Sequence, residues 1–136
     1  MKILVVDDDG TTRKILGLYL KSIGHAPVFA ENGLDAIEKL AVNEVDLILT
    51  DLNMPYMDGI EFTKTIKSNP SFTAMPVILI TTEDDENEKK KAYDAGVDGY
   101  MVKPVTAEAI KIYIKEIFNN NAGVARPPRH NGGALK

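Results

Sequence analysis

The sequence predicts an α/β fold: a doubly wound sheet of five parallel strands with helices on both faces. Three observations predict it. Short β-rich runs alternate five times with longer segments of helical period, the pattern of repeated βα units joined by right-handed crossovers. Runs such as Ile3-Leu4-Val5-Val6 and Val77-Ile78-Leu79-Ile80 are apolar on both faces, as buried parallel strands are. Finally, polar groups stand where the apolar runs stop, and in an open parallel sheet the carboxyl ends of the strands share one crevice.

The elements follow in order. A strand over 2–7 ends in Asp7-Asp8-Asp9. A helix over 10–23 carries Ile15, Leu16, Leu18, Tyr19 and Ile23 along one broad face, with Gly24 as its stop. A strand over 26–30 and a helix over 33–42 come next. The strand over 45–51 ends in Asp51 and is followed by Leu52-Asn53-Met54-Pro55. A helix over 58–68 leads to a strand over 76–81, which ends in Thr81. A helix over 84–95 leads to a strand over 98–102, which ends at Lys103-Pro104. Thr106 is placed to cap a last helix, 106–119, in which Ile110, Ile114, Ile117 and Phe118 recur at helical spacing. There is no internal repeat, and 1–119 reads as one domain. Past Asn119 the periodicity stops, and 120–136 reads as a disordered tail of vector origin.

Composition narrows the function. A chain of 136 residues, 44% hydrophobic and 26% charged, is long enough to bury a real core. Residues 1–121 carry thirteen Lys/Arg against twenty Asp/Glu, a balance that opposes nonspecific nucleic-acid binding. The absence of cysteine excludes disulfides, thiol catalysis and cysteine-ligated zinc. No apolar stretch approaches the ~20 residues that span a bilayer, and the N-terminus lacks a signal-peptide layout. A cytoplasmic protein that binds neither membrane nor nucleic acid directly is expected.

The strand-end rule brings Asp7, Asp8, Asp51, Thr81 and Lys103 together. Carboxylates held within ~4 Å repel by roughly 4 kcal/mol per pair at an effective dielectric of ~20. A divalent cation removes that cost, and Mg²⁺ suits a few oxygen ligands. Asp8 and Asp51 are positioned to coordinate directly, Asp7 through water, and Asn53 through its backbone carbonyl. A carboxylate cluster with a hydroxyl and an ammonium indicates metal-assisted phosphoryl chemistry. Asp9, beside Gly10 and before a helix, reads instead as a cap. Met54 and Met57 read as packing and turn residues, and His25 as a solvated residue before a strand.

The run Leu4-Val5-Val6-Asp7-Asp8, the segment Asp51-Leu52-Asn53-Met54-Pro55-Tyr56-Met57-Asp58-Gly59, then Thr81 and Lys103-Pro104 resemble the receiver domain of two-component response regulators over about residues 1–119. The resemblance implies a flavodoxin-like (βα)5 sheet with strand order 2-1-3-4-5, the established order of that class. It implies Asp51 as the phosphoacceptor, served by a sensor histidine kinase, a phosphotransfer protein or a small phosphodonor. It implies Mg²⁺ held by Asp7, Asp8, Asp51 and the Asn53 carbonyl, with Lys103 and Thr81 on the phosphoryl oxygens and a cis Lys103-Pro104 bond. Thr81 and Tyr100 would form the switch: Thr81 swings to the phosphoryl group and Tyr100 turns inward behind it. The face over 84–119, near Lys89, Lys90, Lys91 and Tyr100, would bind a downstream protein. Asn53 and Glu83 would set the phosphoryl lifetime, and their pairing resembles that of fast-cycling chemotaxis regulators.

Two other readings compete. Asp7-Asp8-Asp9-Gly10-Thr11 also fits the Asp-x-Asp-Gly-Thr motif of haloacid-dehalogenase-type phosphatases, with Asp7 as nucleophile and Asp9 as acid/base. That reading leaves the segment from Asp51 to Gly59 unexplained and finds no acidic pair beyond Lys103 outside the last helix. The other rival is an interaction module that has lost phosphorylation, against which every pocket residue is present. With no output domain after the last helix, the chain reads as a stand-alone receiver or as a fragment of a longer regulator.

Overall fold

A computed structural model describes residues 1–122. Five strands alternate with five helices: β1 (Lys2–Val6), α1 (Gly10–Ser22), β2 (Ala26–Ala30), α2 (Gly33–Val42), β3 (Leu47–Asp51), α3 (Gly59–Ser68), β4 (Val77–Thr81), α4 (Glu86–Ala95), β5 (Gly99–Val102) and α5 (Ala107–Ala122). All pairings are parallel, and the strand order is β2-β1-β3-β4-β5. The expected fold and order are both present.

The period-2 alternation of each strand divides the core in two. Leu4, Val6, Ile48, Val77, Leu79 and Tyr100 point to one face, against Ala36, Leu40, Phe62, Ile66 and Ala92 of α2, α3 and α4. Ile3, Val5, Leu47, Leu49, Ile78, Ile80 and Met101 point to the other, against Leu16 and Leu20 of α1 and Ile110, Ile114 and Ile117 of α5. Both faces of the central strands are therefore covered, which is why their sequences do not alternate.

Caps set the helix limits. The Asp9, Asn32, Asp58 and Asp85 side chains each accept a backbone N–H from the first turn that follows, satisfying donors that have no partner within the helix. Thr106 Oγ1 does the same for the N–H of Ala109 at 3.1 Å. α3 and α4 thus begin one and two residues later than expected, because Asp58 and Asp85 serve as caps. α5 continues through Asn119, Asn120 and Asn121 to Ala122, three residues past the helix limit expected at 119. The remainder of the expected tail, 123–136, lies outside the described residues. The expected face of α1 is also corrected. Ile15 and Leu18 are 43% and 58% exposed, whereas Leu16 and Leu20, one turn apart, are buried. His25 is half-buried, and its Nδ1 lies 3.0 Å from the terminal amine of Met1, which donates to it. Burial and that positive charge lower its pKa.

One clamp ties the far end of the sheet to the second helical layer. Lys67 Nζ, from α3, donates to the Met75 carbonyl at 2.5 Å and to Asp98 Oδ2 at 3.2 Å. The same carboxylate oxygen accepts the Val77 N–H at 2.9 Å. The two side chains are only 11% and 5% exposed.

Candidate functional site

The site lies at the carboxyl ends of β1, β3, β4 and β5. β1 ends at Val6, and the chain turns at once. Asp7 remains attached to the sheet through its N–H, which donates to the Ala30 carbonyl at 3.1 Å. Its side chain is 3% exposed. Asp8 faces solvent. Asp51 closes β3, with its side chain 11% exposed. One oxygen from each of Asp7, Asp8 and Asp51 lies within 4.8 Å of the others, so the three carboxylates form an acidic group able to hold a metal ion.

Gly59 makes the Asp51 corner possible. A Cβ at that position would collide with the Asp51 carbonyl oxygen and with Leu79 Cδ1. The Gly59 N–H donates to the Leu52 carbonyl at 2.8 Å, so the start of α3 packs directly behind the carboxylate. Met54 is buried in the core and Met57 packs against it, as expected of packing and turn residues.

Lys103, after β5, reaches across the sheet. Its Nζ lies 3.4 Å from Asp7 Oδ2 and 3.3 Å from Asp51 Oδ1. The Lys103-Pro104 bond is cis. Burial alone would lower the pKa of Lys103, but the charges and hydrogen bonds of Asp51 and Asp7 outweigh it and hold the pKa above its ordinary value. Asp51 balances the other way. Burial, then the charge of Asp7, push its carboxyl above the ordinary value of 3.8 in spite of Lys103. One ammonium cannot neutralise two carboxylates, and a third stands beside them. The deficit is one of positive charge, and the donors are hard oxygens. That combination fits Mg²⁺.

Thr81 ends β4 and is fully buried. Its Oγ1 accepts the Glu83 N–H at 3.1 Å. Tyr100 is 4% exposed, not the half-buried edge aromatic that a strand at the rim of the sheet suggests. Its ring is already inward, and its hydroxyl donates to the Glu83 carbonyl at 2.6 Å. Burial, then the nearby carboxylates of Glu88, Glu83, Asp84 and Asp85, raise its pKa. Asn53 and Glu83 are exposed. On α4, Lys89 Nζ stands 6.0 Å from the centroid of the Tyr100 ring. Lys90 pairs with Asp94 at 3.0 Å and Lys91 with Glu88 at 3.9 Å, so those two cations are engaged on their own helix. Asp9 is turned away from the acidic group. It accepts from Thr12 N–H and Oγ1 at 3.1 and 2.6 Å, and the hydroxyl bond is the main reason its pKa is lowered.

Three features escaped the sequence. Arg13 Nη1 donates to the Asp7 carbonyl at 2.6 Å, pinning the loop that carries two of the carboxylates. Its position one turn into α1 is the only cue the sequence holds. Tyr56 has φ of +72°, is 84% exposed, and is spanned by a Met57 N–H bond to the Pro55 carbonyl at 2.8 Å. That is a γ-turn of the rare, strained hand, and nothing in a tyrosine announces it. The third is Tyr113, whose hydroxyl lies on the backbone of Tyr100.

Residues 3–115 match the family model described as the response regulator receiver domain. The chain belongs to the response regulator receiver family. It is 39% identical over 125 residues to a chemotaxis protein CheY homolog of Campylobacter jejuni, covering 90% of this chain and 96% of that one. It is 40% identical over 123 residues to chemotaxis protein CheY1 of Helicobacter pylori, covering 89% and 99%. Among solved structures, CheY4 of Vibrio cholerae superimposes with a TM-score of 0.81 at 29% identity, covering 85% of this chain and 97% of that one. The receiver domain of a histidine kinase from Syntrophus aciditrophicus gives 0.80 at 29% identity, with 93% of each chain covered. The receiver is thus a regulatory phosphoacceptor of two-component signalling, a class that works with histidine kinases and downstream targets. Nothing in the matches favours a haloacid-dehalogenase-type phosphatase. Among the described residues, no helix is long and apolar enough to cross a membrane.

Proposed function

We propose that the receiver takes a phosphoryl group on Asp51 from a histidine kinase, a phosphotransfer protein or a small phosphodonor in the cytoplasm, and that this resets its surface over 84–119. The observation that carries the reading is the Asp51 carboxylate itself. It is held at a strand end between an ammonium and two further carboxylates, with one oxygen already 3.3 Å from Lys103. In the transfer, an Asp51 oxygen forms a bond to phosphorus as the donor's bond to phosphorus breaks, leaving an acyl phosphate. Asp7, Asp8, Asp51 and the Asn53 carbonyl are the groups that would hold Mg²⁺, which when bound supplies charge stabilisation to the transferring oxygens. Lys103 swaps its carboxylate contacts for the phosphoryl oxygens. Thr81 donates its hydroxyl to a phosphoryl oxygen, and doing so draws it from the Glu83 N–H.

That exchange connects chemistry to signalling. The Glu83 carbonyl holds the Tyr100 hydroxyl, so any shift of this loop reaches Tyr100 directly. A phosphoryl group brings roughly −1.5 to −2 of charge. Moving a two-state element from 1:99 to 99:1 takes about 5.5 kcal/mol, a load shared among new charged hydrogen bonds. Asn53 and Glu83, exposed at the mouth of the site, are placed to govern attack by water, and their pairing supports a short-lived phosphoryl group. The similarity to chemotaxis proteins supports a downstream protein target.

Incubation with Mg²⁺ and acetyl phosphate, read by intact mass, tests the reading. A phosphoryl adduct on the wild type that disappears in Asp51→Asn is expected. An adduct that survives Asp51→Asn and vanishes in Asp7→Asn would transfer the chemistry to Asp7. Dephosphorylation lasting many hours would overturn the short lifetime.

A further inference from the structure

Tyr100 lies on β5, an edge strand of the sheet. Edge strands leave backbone groups without a ladder partner. Here a side chain supplies it. The Tyr113 hydroxyl, from α5, accepts the Tyr100 N–H at 3.3 Å and donates to the Tyr100 carbonyl at 2.8 Å. It gives Tyr100 both bonds that a sixth strand would otherwise provide. The residue before Tyr100 is glycine, and a Cβ there would collide with Cε1 of the Tyr113 ring. Gly99 is therefore the space in which that ring lies. Tyr93 of α4 is hydrogen-bonded to Tyr113, and burial, then Tyr113, push its pKa up to about 12. One hydroxyl has one proton to give and two lone pairs, so Tyr113 is saturated by these three partners.

The side chain of Tyr100 is held elsewhere, by the Glu83 carbonyl in the loop beyond Thr81. Backbone and side chain of the same residue thus have separate anchors. One belongs to α5 and is remote from the pocket. The other belongs to the loop that the pocket moves. We propose that Tyr113 is a positioning residue for Tyr100: by fixing the β5 backbone at that point, it turns movement of the Thr81–Glu83 loop into rotation of the Tyr100 side chain rather than displacement of the strand. This rests on the receiver reading above.

The experiment uses the full chain labelled with 3-fluorotyrosine. The five tyrosines give fluorine NMR signals, with Tyr100 assigned from Tyr100→Phe. Spectra are taken before and after addition of Mg²⁺ and acetyl phosphate, and the Asp51 adduct is read by mass on the same samples. In the wild type, one Tyr100 signal in each state is expected. In Tyr113→Phe the adduct forms at the wild-type level, but the Tyr100 signal before phosphorylation broadens or moves between the two wild-type positions. The population ratio changes about tenfold, the scale of one net hydrogen bond. Gly99→Ala displaces the ring while keeping every tyrosine and is expected to behave alike, so it serves as the test should Tyr113→Phe fold poorly. Tyr100 signals that superimpose on the wild type in both states, with only the melting temperature lowered, would overturn the proposal and leave Tyr113 a packing residue. Absence of an adduct on the wild type would remove the receiver reading itself, and this proposal with it.

Discussion

Asp51 sits in an environment that opposes its own charge. Burial and Asp7 raise its folded-state pKa above 3.8, so the folded protein holds that proton more tightly than the unfolded chain does. Its contribution to stability is greatest below pH 3.8 and is lost as pH rises through the raised folded value. Asp51→Asn should therefore stabilise the protein at neutral pH and raise its Tm. The gain should shrink as thermal melts are run at progressively lower pH through the raised folded value, and vanish below 3.8. Tyr56 makes a second case. An L side chain at positive φ costs about 1–2 kcal/mol, and this one is 84% exposed, so packing returns little. Tyr56→Gly, which removes the side chain from this backbone conformation, should raise the denaturant midpoint with the m-value unchanged. The two residues differ in legibility. Asp51, like Asp7, Thr81 and Lys103, stands at the end of an apolar run, and the sheet must deliver it to the crevice. The backbone of Tyr56 is set by the loop around it, and its side chain carries no trace of that.

At the scale of elements, the strands were legible because their apolar runs end abruptly. The helix limits were less so, for identifiable reasons. Between Glu83 and Glu86 four acidic residues stand in a row, and sequence does not say which one folds back as the cap; Asp85 does. On α1 the apolar residues outnumber the buried positions, so periodicity alone admitted Ile15 and Leu18 to a face that excludes them. On α5 three asparagines looked like a stop yet continue the helix. The Lys67–Asp98 clamp was invisible because its partners are 31 residues apart, one on α3 and the other in the loop before β5. Asp98→Ala would take the carboxylate from a lysine that is only 11% exposed, leave its charge uncompensated by Asp98, and free the Val77 N–H. Breaking a buried pair from one side typically costs about 3–5 kcal/mol, and chemical denaturation of the variant should show a loss in that range.

For the whole molecule, the acidic group couples stability to any cation it binds. Three carboxylates with one oxygen each within 4.8 Å repel more in the compact state than in the open chain. Any ion that binds the folded form alone adds RT ln(1 + [L]/Kd), about 2.7 kcal/mol at a hundredfold excess over Kd. Titrating Mg²⁺ into thermal melts should raise the Tm of the wild type, with a much smaller rise in Asp7→Asn. Equal rises in both would exclude Asp7 from the ion.

The ion pair between Lys103 and Asp7 joins residues 96 positions apart. Asp7 emerges early in synthesis and Lys103 near the end of the sheet, so no shorter piece of the nascent chain owns the pocket. The full set of charges in the pocket is assembled only once β5 has docked on β4. A truncated or half-folded copy therefore lacks the ammonium that faces both buried carboxylates.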